Sequence, residues 1–190
     1  MGRTAARKSQ PAPLLKLDFG CGPHPREGFA GVDRLPFGGK VTHVVDLREQ
    51  PWPWADASVA EAHASHFVEH LTASERIVFC NELYRVLAPN GQCQIIVPHW
   101  ASCRAYGDPT HQWPPVSEFW MYYLSREWRV QNAPHTDVET VPDGFACDFV
   151  ATWGYSLRPD LAIRNGEYQQ FAIQNYKEVC QDIICTLTKR

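Results

Sequence analysis

The stretch Leu14-Leu15-Lys16-Leu17-Asp18-Phe19-Gly20-Cys21-Gly22-Pro23 decides the predicted fold. It opens with a short, mostly apolar run, which is typical of a buried strand, and the residues after that run are typical of a tight turn. Glycine at positions 20 and 22 lets the backbone turn sharply and approach a ligand closely, where a Cβ atom would obstruct it. The pattern therefore predicts a strand that leads directly into a binding loop.

Two further predicted strands, residues 29–33 and 41–46, end in Asp33 and Asp46. In an open parallel sheet, ligands bind beyond the carboxyl ends of the strands, where neighbouring loops meet. An acidic residue after the second strand can accept hydrogen bonds from both hydroxyls of a ribose. We therefore predict that the glycine loop and these carboxylates form one nucleoside-binding site.

The rest of the chain alternates between the two kinds of secondary structure. A capping box at residues 72–75 opens a helix that ends before Pro89-Asn90-Gly91. Strands are predicted over residues 58–64, 92–97, 145–157 and 178–189, and further helices over residues 117–124 and 167–175. This alternation predicts an α/β fold with a mostly parallel central sheet of about seven strands and helices on both faces.

Length and composition favour a single globular domain. The chain has 190 residues, of which 44% are hydrophobic and 21% charged. We expect a disordered basic tail over residues 1–13 and one domain over residues 14–190. Within that domain, residues 99–144 are rich in Trp, Tyr, Pro and His, and we expect them to form an insertion that builds the substrate pocket.

Charge and cysteine usage limit the partners and the compartment. The net charge of -3 provides no general attraction to phosphate backbones, although the basic tail keeps a nucleic-acid partner open. No apolar run has the length of a membrane span, and the first residues lack the apolar stretch of a secretion signal. Seven cysteines without a CxxC pair are typical of reduced thiols. We expect a cytoplasmic protein without a membrane partner, and the oligomeric state stays open.

The glycine loop does not fit a nicotinamide site. The GxGxxG pattern requires glycine at position 25, where this chain has Pro25. Only about ten residues separate Gly22 from Asp33, too few for the helix whose N-terminus would hold a pyrophosphate. A cofactor without phosphates fits better, and a nucleotide-binding oxidoreductase is the less favoured alternative.

Three segments, taken together, resemble a known family. They are residues 17–23 (LDFGCGP), residues 64–71 (ASHFVEHL) and residues 82–91 (ELYRVLAPNG), and their order and spacing resemble class I S-adenosylmethionine-dependent methyltransferases, particularly the small type-11-like group. The resemblance implies a Rossmann-like methyltransferase fold, S-adenosylmethionine as cofactor and methyl transfer as the reaction. The chain departs from the family's pattern over residues 23–28, where the first helix region is short.

The resemblance also implies roles for individual residues. Gly20 and Gly22 would lie under the methionine portion of the cofactor, Asp33 on its ribose, and Asp46 on the adenine amino group. Asp18 would act through the turn or on the amino group of the ligand. The cofactor-binding residues implied in this way are Asp18, Gly20, Cys21, Gly22, Pro23, Asp33, Asp46, Leu47, Ser65 and His66.

Methyl transfer requires alignment of donor and acceptor and exclusion of water, and a weakly acidic acceptor also needs a base. We predict His66, His99 and His111 as candidate catalytic bases. For each histidine the alternative is a polar residue without a catalytic role.

Acceptor binding is predicted in the aromatic segment, through Trp100, Asp108, His111 and Trp113. The stretch from Asp108 to His111 resembles a family segment near the acceptor pocket, and an Asp-Pro turn is its alternative. The aromatic residues could equally cover the edge of the sheet. We expect an acceptor that is a small molecule, whose identity the sequence does not give.

If the segment were helical, His63, His66 and His70 would share one face, a spacing that suggests a metal site. A change from strand to helix inside the segment would separate the rings, and no CxxC or HExxH motif accompanies them. We therefore predict no metal site. Two alternatives to small-molecule methylation stay open: a catalytically silent cofactor-binding module and a methyltransferase that acts on nucleic acid.

Overall fold

A computed structural model describes residues 13–190, so the predicted basic tail lies outside the described residues except for Pro13. The described residues contain one seven-stranded sheet. Its strands are β1 (Leu15–Phe19), β2 (Ala30–Asp33), β3 (His43–Val44), β4 (Val59–Ser65), β5 (Leu87–Pro98), β6 (Phe149–Leu157) and β7 (Cys180–Lys189).

The strands lie in the order β3-β2-β1-β4-β5-β7-β6. Neighbours from β3 to β5 pair in parallel, and β7 is antiparallel to both β5 and β6. The predicted α/β class with a mostly parallel sheet of seven strands is therefore confirmed. The order reverses between β1 and β4, so the loops after these strands diverge and leave a crevice at the carboxyl edge of the sheet.

The α-helices of the described residues are α1 (Ala73–Val86), α2 (Arg104–Gly107), α3 (Glu118–Tyr122), α4 (Arg126–Asn132), α5 (Pro159–Ala162) and α6 (Gly166–Asn175). The predicted capping box opens α1, because Thr72 accepts a hydrogen bond from the Glu75 N–H while its own N–H donates to the Glu75 carboxylate. None of the helices in residues 13–190 combines the length and the apolar character that crossing a bilayer requires.

Three strands differ clearly in extent from their prediction, and one of them, expected over residues 145–157, begins only at Phe149. The third strand, expected over residues 41–46, is reduced to His43–Val44, because it lies at the sheet edge and its neighbour β2 is itself short. The fifth strand begins at Leu87, directly after α1 and before the predicted turn. Asn90 takes a left-handed φ of 61° inside it, and the β4–β5 register shifts near this point.

The apolar core lies against one face of the central strands. The ring of Phe19 on β1 packs against Trp52 at 5.0 Å and against Phe79 of α1 at 5.9 Å between ring centroids. Met121 of α3 and Phe149 of β6 belong to the same buried cluster. This cluster therefore joins α1, the insertion and the sheet.

Side chains on the opposite face of the central strands are mostly polar and at least partly exposed: Lys16, Glu61, His63, Gln92, Gln94, Thr186 and Thr188. The connection from β1 to β2, residues 20–29, contains turns where the expected fold carries a helix. This connection therefore contributes no helix to the cover of the sheet. The polar side chains on this face can be hydrated, so this part of the sheet can remain exposed to water.

Both glycines of the binding loop take left-handed backbone conformations. Gly20 has a φ of 65° and Gly22 a φ of 55°. A Cβ atom at Gly20 would lie 2.4 Å from the Phe67 ring, whereas a Cβ atom at Gly22 would meet no atom within 4 Å. The turn therefore requires glycine at position 20 for space as well as for conformation.

A buried ion pair fixes the insertion to the sheet. Arg129 of α4 is fully buried, and its Nε donates to Asp137 Oδ2 at 2.9 Å. Its remaining nitrogens donate to the carbonyl oxygens of Tyr123, Phe145 and Cys147 at 2.7–3.2 Å. The guanidinium thus links α3, α4 and the chain that enters β6.

We expect Gly20→Ala to lower the free energy of unfolding by about 3 kcal/mol and Gly22→Ala by about 1 kcal/mol, because only the first adds a clash to the backbone strain. Urea denaturation of the two variants measures the difference. Equal losses would contradict the close approach of Phe67 to the loop.

We expect Arg129→Met to lower the free energy of unfolding by about 3–5 kcal/mol, because it leaves a buried carboxylate and buried carbonyl groups without partners. The control is Arg158→Met, which breaks an exposed pair with Asp160 and should cost less than about 1 kcal/mol. Denaturation curves compare the two. Adding Asp137→Leu to Arg129→Met should recover part of the loss, and no recovery would contradict a buried pair.

Candidate functional site

A cavity of about 410 Å³ opens at the carboxyl edge of the sheet. Its volume lies within the range of about 300–1,000 Å³ that is usual for small-molecule sites. The lining residues are Gly20, Asp33, Arg34, Val45, Asp46, Leu47, Arg48, His66, Phe67, His70, Leu71 and Thr110. Of the predicted cofactor residues, the structure brings Gly20, Asp33, Asp46, Leu47 and His66 together here.

Asp18 lies behind the loop, outside the cavity lining. Its side chain is buried, and its two oxygens bond to the Arg26 N–H at 2.7 Å and to His63 Nδ1 at 2.7 Å. Both bonds connect the end of β1 to the loop and to β4. Of its two predicted roles, the geometry supports action through the turn.

Asp33 ends β2 and faces the cavity. Its Oδ2 accepts a hydrogen bond from the Gly22 N–H at 3.0 Å, and its Oδ1 accepts one from the Leu35 N–H at 3.1 Å. Each carboxylate oxygen retains capacity to accept a further bond. The side chain is thus held in place by its own backbone surroundings, ready to accept hydroxyl donors from a ligand.

Asp46 and Leu47 lie across the cavity from the glycine loop in the chain segment after β3. Arg48 donates to both oxygens of Asp46, with the Nε–Oδ1 bond at 2.8 Å. These bonds hold the pKa of Asp46 at about 2, so the carboxylate is ionised and paired at neutral pH. Sequence reasoning did not anticipate Arg48 in the site.

The other predicted cofactor residues do not line the cavity. Gly22 approaches it only through its hydrogen bond to Asp33. Cys21 is half-buried in the loop, where burial raises the pKa of its thiol to about 11. Pro23 is exposed, and Ser65 ends β4 immediately before His66. Their side chains therefore shape the loops around the cavity.

His66 is held in the cavity by a buried acid. Its Nδ1 bonds to Glu69 Oε1 at 3.2 Å, and its Nε2 lies 3.9 Å from Asp182 Oδ1. The bond to Glu69 raises the pKa of His66 above its ordinary value of 6.5. The residue also takes a left-handed φ of 53°, a conformation that is uncommon outside glycine.

His99 has neither ring nitrogen free. Its Nδ1 accepts a hydrogen bond from the Ala101 N–H at 3.1 Å, so its Nε2 donates to Glu118 Oε1 at 3.0 Å. Burial raises the pKa of Glu118, but the bond from His99 and further hydrogen bonds outweigh burial and lower it to about 2. The histidine is almost completely buried and does not line the cavity. The geometry favours a structural role for His99.

His111 packs against His70, with 4.7 Å between the ring centroids. Its Nδ1 donates to the Ala105 carbonyl oxygen at 3.2 Å. Thr110 bonds to His70 Nδ1 at 3.0 Å and to Asp108 Oδ1 at 2.7 Å. The insertion thus brings its Asp-Pro-Thr-His segment against His70 in the segment before α1, next to the cavity.

The three histidines considered for a metal site do not form one cluster. His63 bonds to Asp18, His66 to Glu69 and His70 to Thr110. The separation follows from the change of backbone, because His63 lies in β4 and His70 in a one-turn 3₁₀ helix over Val68–His70.

A second cavity of about 420 Å³ lies in the insertion. Half of its lining residues are aromatic, and they include Trp100 and Trp113, which the sequence predicted for the acceptor. The full lining is Trp100, Tyr106, Trp113, Pro114, Pro115, Ser117, Glu118 and Phe119. Asp108 and His111 do not line this second cavity. The four residues predicted for the acceptor are thus divided between two places.

Several residues of the site were not predicted, chiefly Glu69, His70, Glu118 and Asp182. Glu69 carries a signal in the sequence, since it stands three residues after His66 and next to His70. Glu118 and Asp182 carry none, because each meets its histidine only after the sheet and the insertion have folded.

No protein-family model matches the sequence, and no curated protein matches it significantly. Solved structures do match the fold. An S-adenosylmethionine-dependent methyltransferase from Archaeoglobus fulgidus matches with a TM-score of 0.63 and 18% identity, covering 94% of this chain and 87% of the other.

Two further structures match with S-adenosylhomocysteine bound in them. A 1,6-didemethyltoxoflavin-N1-methyltransferase from Burkholderia thailandensis has a TM-score of 0.53, and a geranyl diphosphate C-methyltransferase from Streptomyces coelicolor has one of 0.51. Each is 14% identical to this chain and covers 93% of it and 71% of itself. The type-11-like group stays a prediction. The chain has the class I methyltransferase fold, as its sequence motifs predict.

Proposed function

We propose that the chain is a methyltransferase that uses S-adenosylmethionine and acts on a small-molecule acceptor. The observation that carries the proposal is the position of Asp33, which faces a cavity beside the Gly20 turn at the carboxyl edge of the sheet. The methyltransferases that share the fold support it, since two of them were solved with S-adenosylhomocysteine.

The residues around the cavity fit the nucleoside part of this cofactor. Asp33 would accept hydrogen bonds from the ribose hydroxyls. Phe67 and Leu71 offer apolar contact to the adenine ring, with the Leu47 backbone and Asp46 beside its amino group. The bound cofactor supplies a methyl group on a positively charged sulfur, which a nucleophile can attack.

The loop from Gly20 to Pro23 would hold the methionine part of the cofactor. Its backbone can approach closely because position 20 carries no side chain. Asp18 is a positioning residue for this loop, since it accepts the Arg26 N–H. The Gly22 N–H bonded to Asp33 couples the loop to the ribose-binding carboxylate.

His66 is the best placed of the three candidate bases, because it alone lines the cavity. Glu69 accepts a hydrogen bond from its Nδ1, which leaves Nε2 to accept a proton from a hydroxyl or amine acceptor. We assign no proton transfer to His99, which has no free nitrogen, and none to His111, which lies behind His70.

We place the acceptor against the insertion, residues 99–144. The aromatic walls of the second cavity, with Trp100 and Trp113, suit a planar or apolar molecule. Glu118 fixes one wall, because its Oε2 accepts a hydrogen bond from Trp100 Nε1 at 2.8 Å.

The cysteines form no disulfide within residues 13–190, which supports a reducing compartment such as the cytoplasm.

The reaction is tested with methyl-labelled S-adenosylmethionine in a cell extract, followed by mass spectrometry of the extract. We expect the label in a small molecule in the presence of the protein. Tight cofactor binding without transfer would favour a catalytically silent module, and label in RNA or DNA would favour the nucleic-acid alternative.

We expect Asp33→Ala to weaken binding of S-adenosylmethionine and S-adenosylhomocysteine by about 10–100-fold, because hydrogen bonds to a charged group contribute about 1.5–3 kcal/mol. Isothermal titration calorimetry measures the affinities. Asp33→Asn, which keeps one acceptor oxygen, should lose less. The control is Asp143→Ala, an exposed loop position. If the unaltered protein bound neither compound, the proposed function would be wrong.

A further inference from the structure

We propose that Glu69, His70 and His111 form a binding site for a divalent transition-metal ion, with Zn²⁺ as the best match. One donor atom from each of these residues lies within 4.8 Å of the other two. Two imidazoles and a carboxylate are a set that zinc accepts, with a fourth position left open for water or another ligand. Of the group His63, His66 and His70 that the sequence suggested, only His70 belongs to this site.

Hydrogen bonds already orient both imidazole rings as metal ligands. His111 Nδ1 donates to the Ala105 carbonyl oxygen at 3.2 Å, which leaves Nε2 unprotonated in the neutral ring. A backbone carbonyl in this position is the usual outer partner of a metal-bound histidine. The ring of His111 therefore presents Nε2 as its free ligand atom.

The same reasoning applies to His70. The Thr110 hydroxyl has one proton, which it donates to Asp108 Oδ1 at 2.7 Å. His70 Nδ1, 3.0 Å away, must then donate to the hydroxyl oxygen, so its Nε2 is also left unprotonated. Asp108 is fixed in this position, because its Oδ1 also accepts a hydrogen bond from the Thr110 N–H at 2.8 Å.

Glu69 provides a second, independent indication of a bound cation. Its side chain is 5% exposed, and its Oε1 accepts a hydrogen bond from His66. Its Oε2 is buried and has no hydrogen-bond partner among the described residues. Leaving such an oxygen unpaired is unfavourable, and a metal ion would satisfy it.

A metal ion here would act at the edge of the proposed active site. His70 lines the main cavity, so an open coordination position could face it. The ion would also join the segment before α1 to the insertion through His111. Its chemistry would be that of a Lewis acid, which binds an oxygen or nitrogen atom of a small molecule.

The test is titration of the chelator-treated protein with Zn²⁺ by calorimetry and with Co²⁺ by visible absorption. We expect one ion per chain. His70→Ala and His111→Ala should each weaken binding by at least about 100-fold, and Thr110→Val, which removes only the outer hydroxyl, by about 10-fold. The matched control is His24→Ala, an exposed histidine outside the cluster, whose affinity should not change.

Two results would overturn the site: no binding of either ion by the unaltered protein, or equal binding by the variants and the control. Thermal unfolding of each variant in chelator verifies that it is folded. Binding of S-adenosylhomocysteine is measured separately on the same samples. The metal site can therefore fail while the proposed function stands, and the reverse also holds.

Discussion

Asp18 lies buried at the end of β1, where its carboxylate holds the Arg26 N–H and the ring of His63. The rest of the site depends on these two bonds, because the connection from β1 to β2 contains no helix to support the glycine loop. The loop in turn positions Asp33 through the Gly22 N–H. A single buried acid thus connects the end of one strand to the ligand-facing carboxylate of the next.

The sheet draws most of its stability from one face. On the polar face, the pair between Lys16 and Glu61 at 2.6 Å is exposed, and such pairs contribute at most about 1 kcal/mol. On the other face, Phe19 packs with Trp52 and Phe79, and aromatic pairs contribute about 0.5–1.5 kcal/mol beyond their buried area. The fold therefore tolerates a thin, polar face because the opposite face carries the core.

Local patterns explain what could be predicted. The strand before Gly20, the acid that ends β2 and the Thr72 capping box each depend on residues close in sequence, and each was found as predicted. The contact between His70 and His111 was not predicted from the sequence, because these residues come together only through the folded insertion. The short first connection was likewise predicted, since about ten residues between Gly22 and Asp33 are too few for a full helix, and the structure has turns there.

The proposed site is divided between two kinds of structure, and only the residues of one of them could be predicted well from the sequence. The proposed nucleoside half is built by strand ends, whose positions follow from the sheet order. The proposed acceptor half lies in the insertion, which is held by the buried Arg129–Asp137 pair and by His99 on Glu118. Since such long-range contacts determine which side chains face the cavity, acceptor specificity can change with the insertion while the nucleoside half stays fixed.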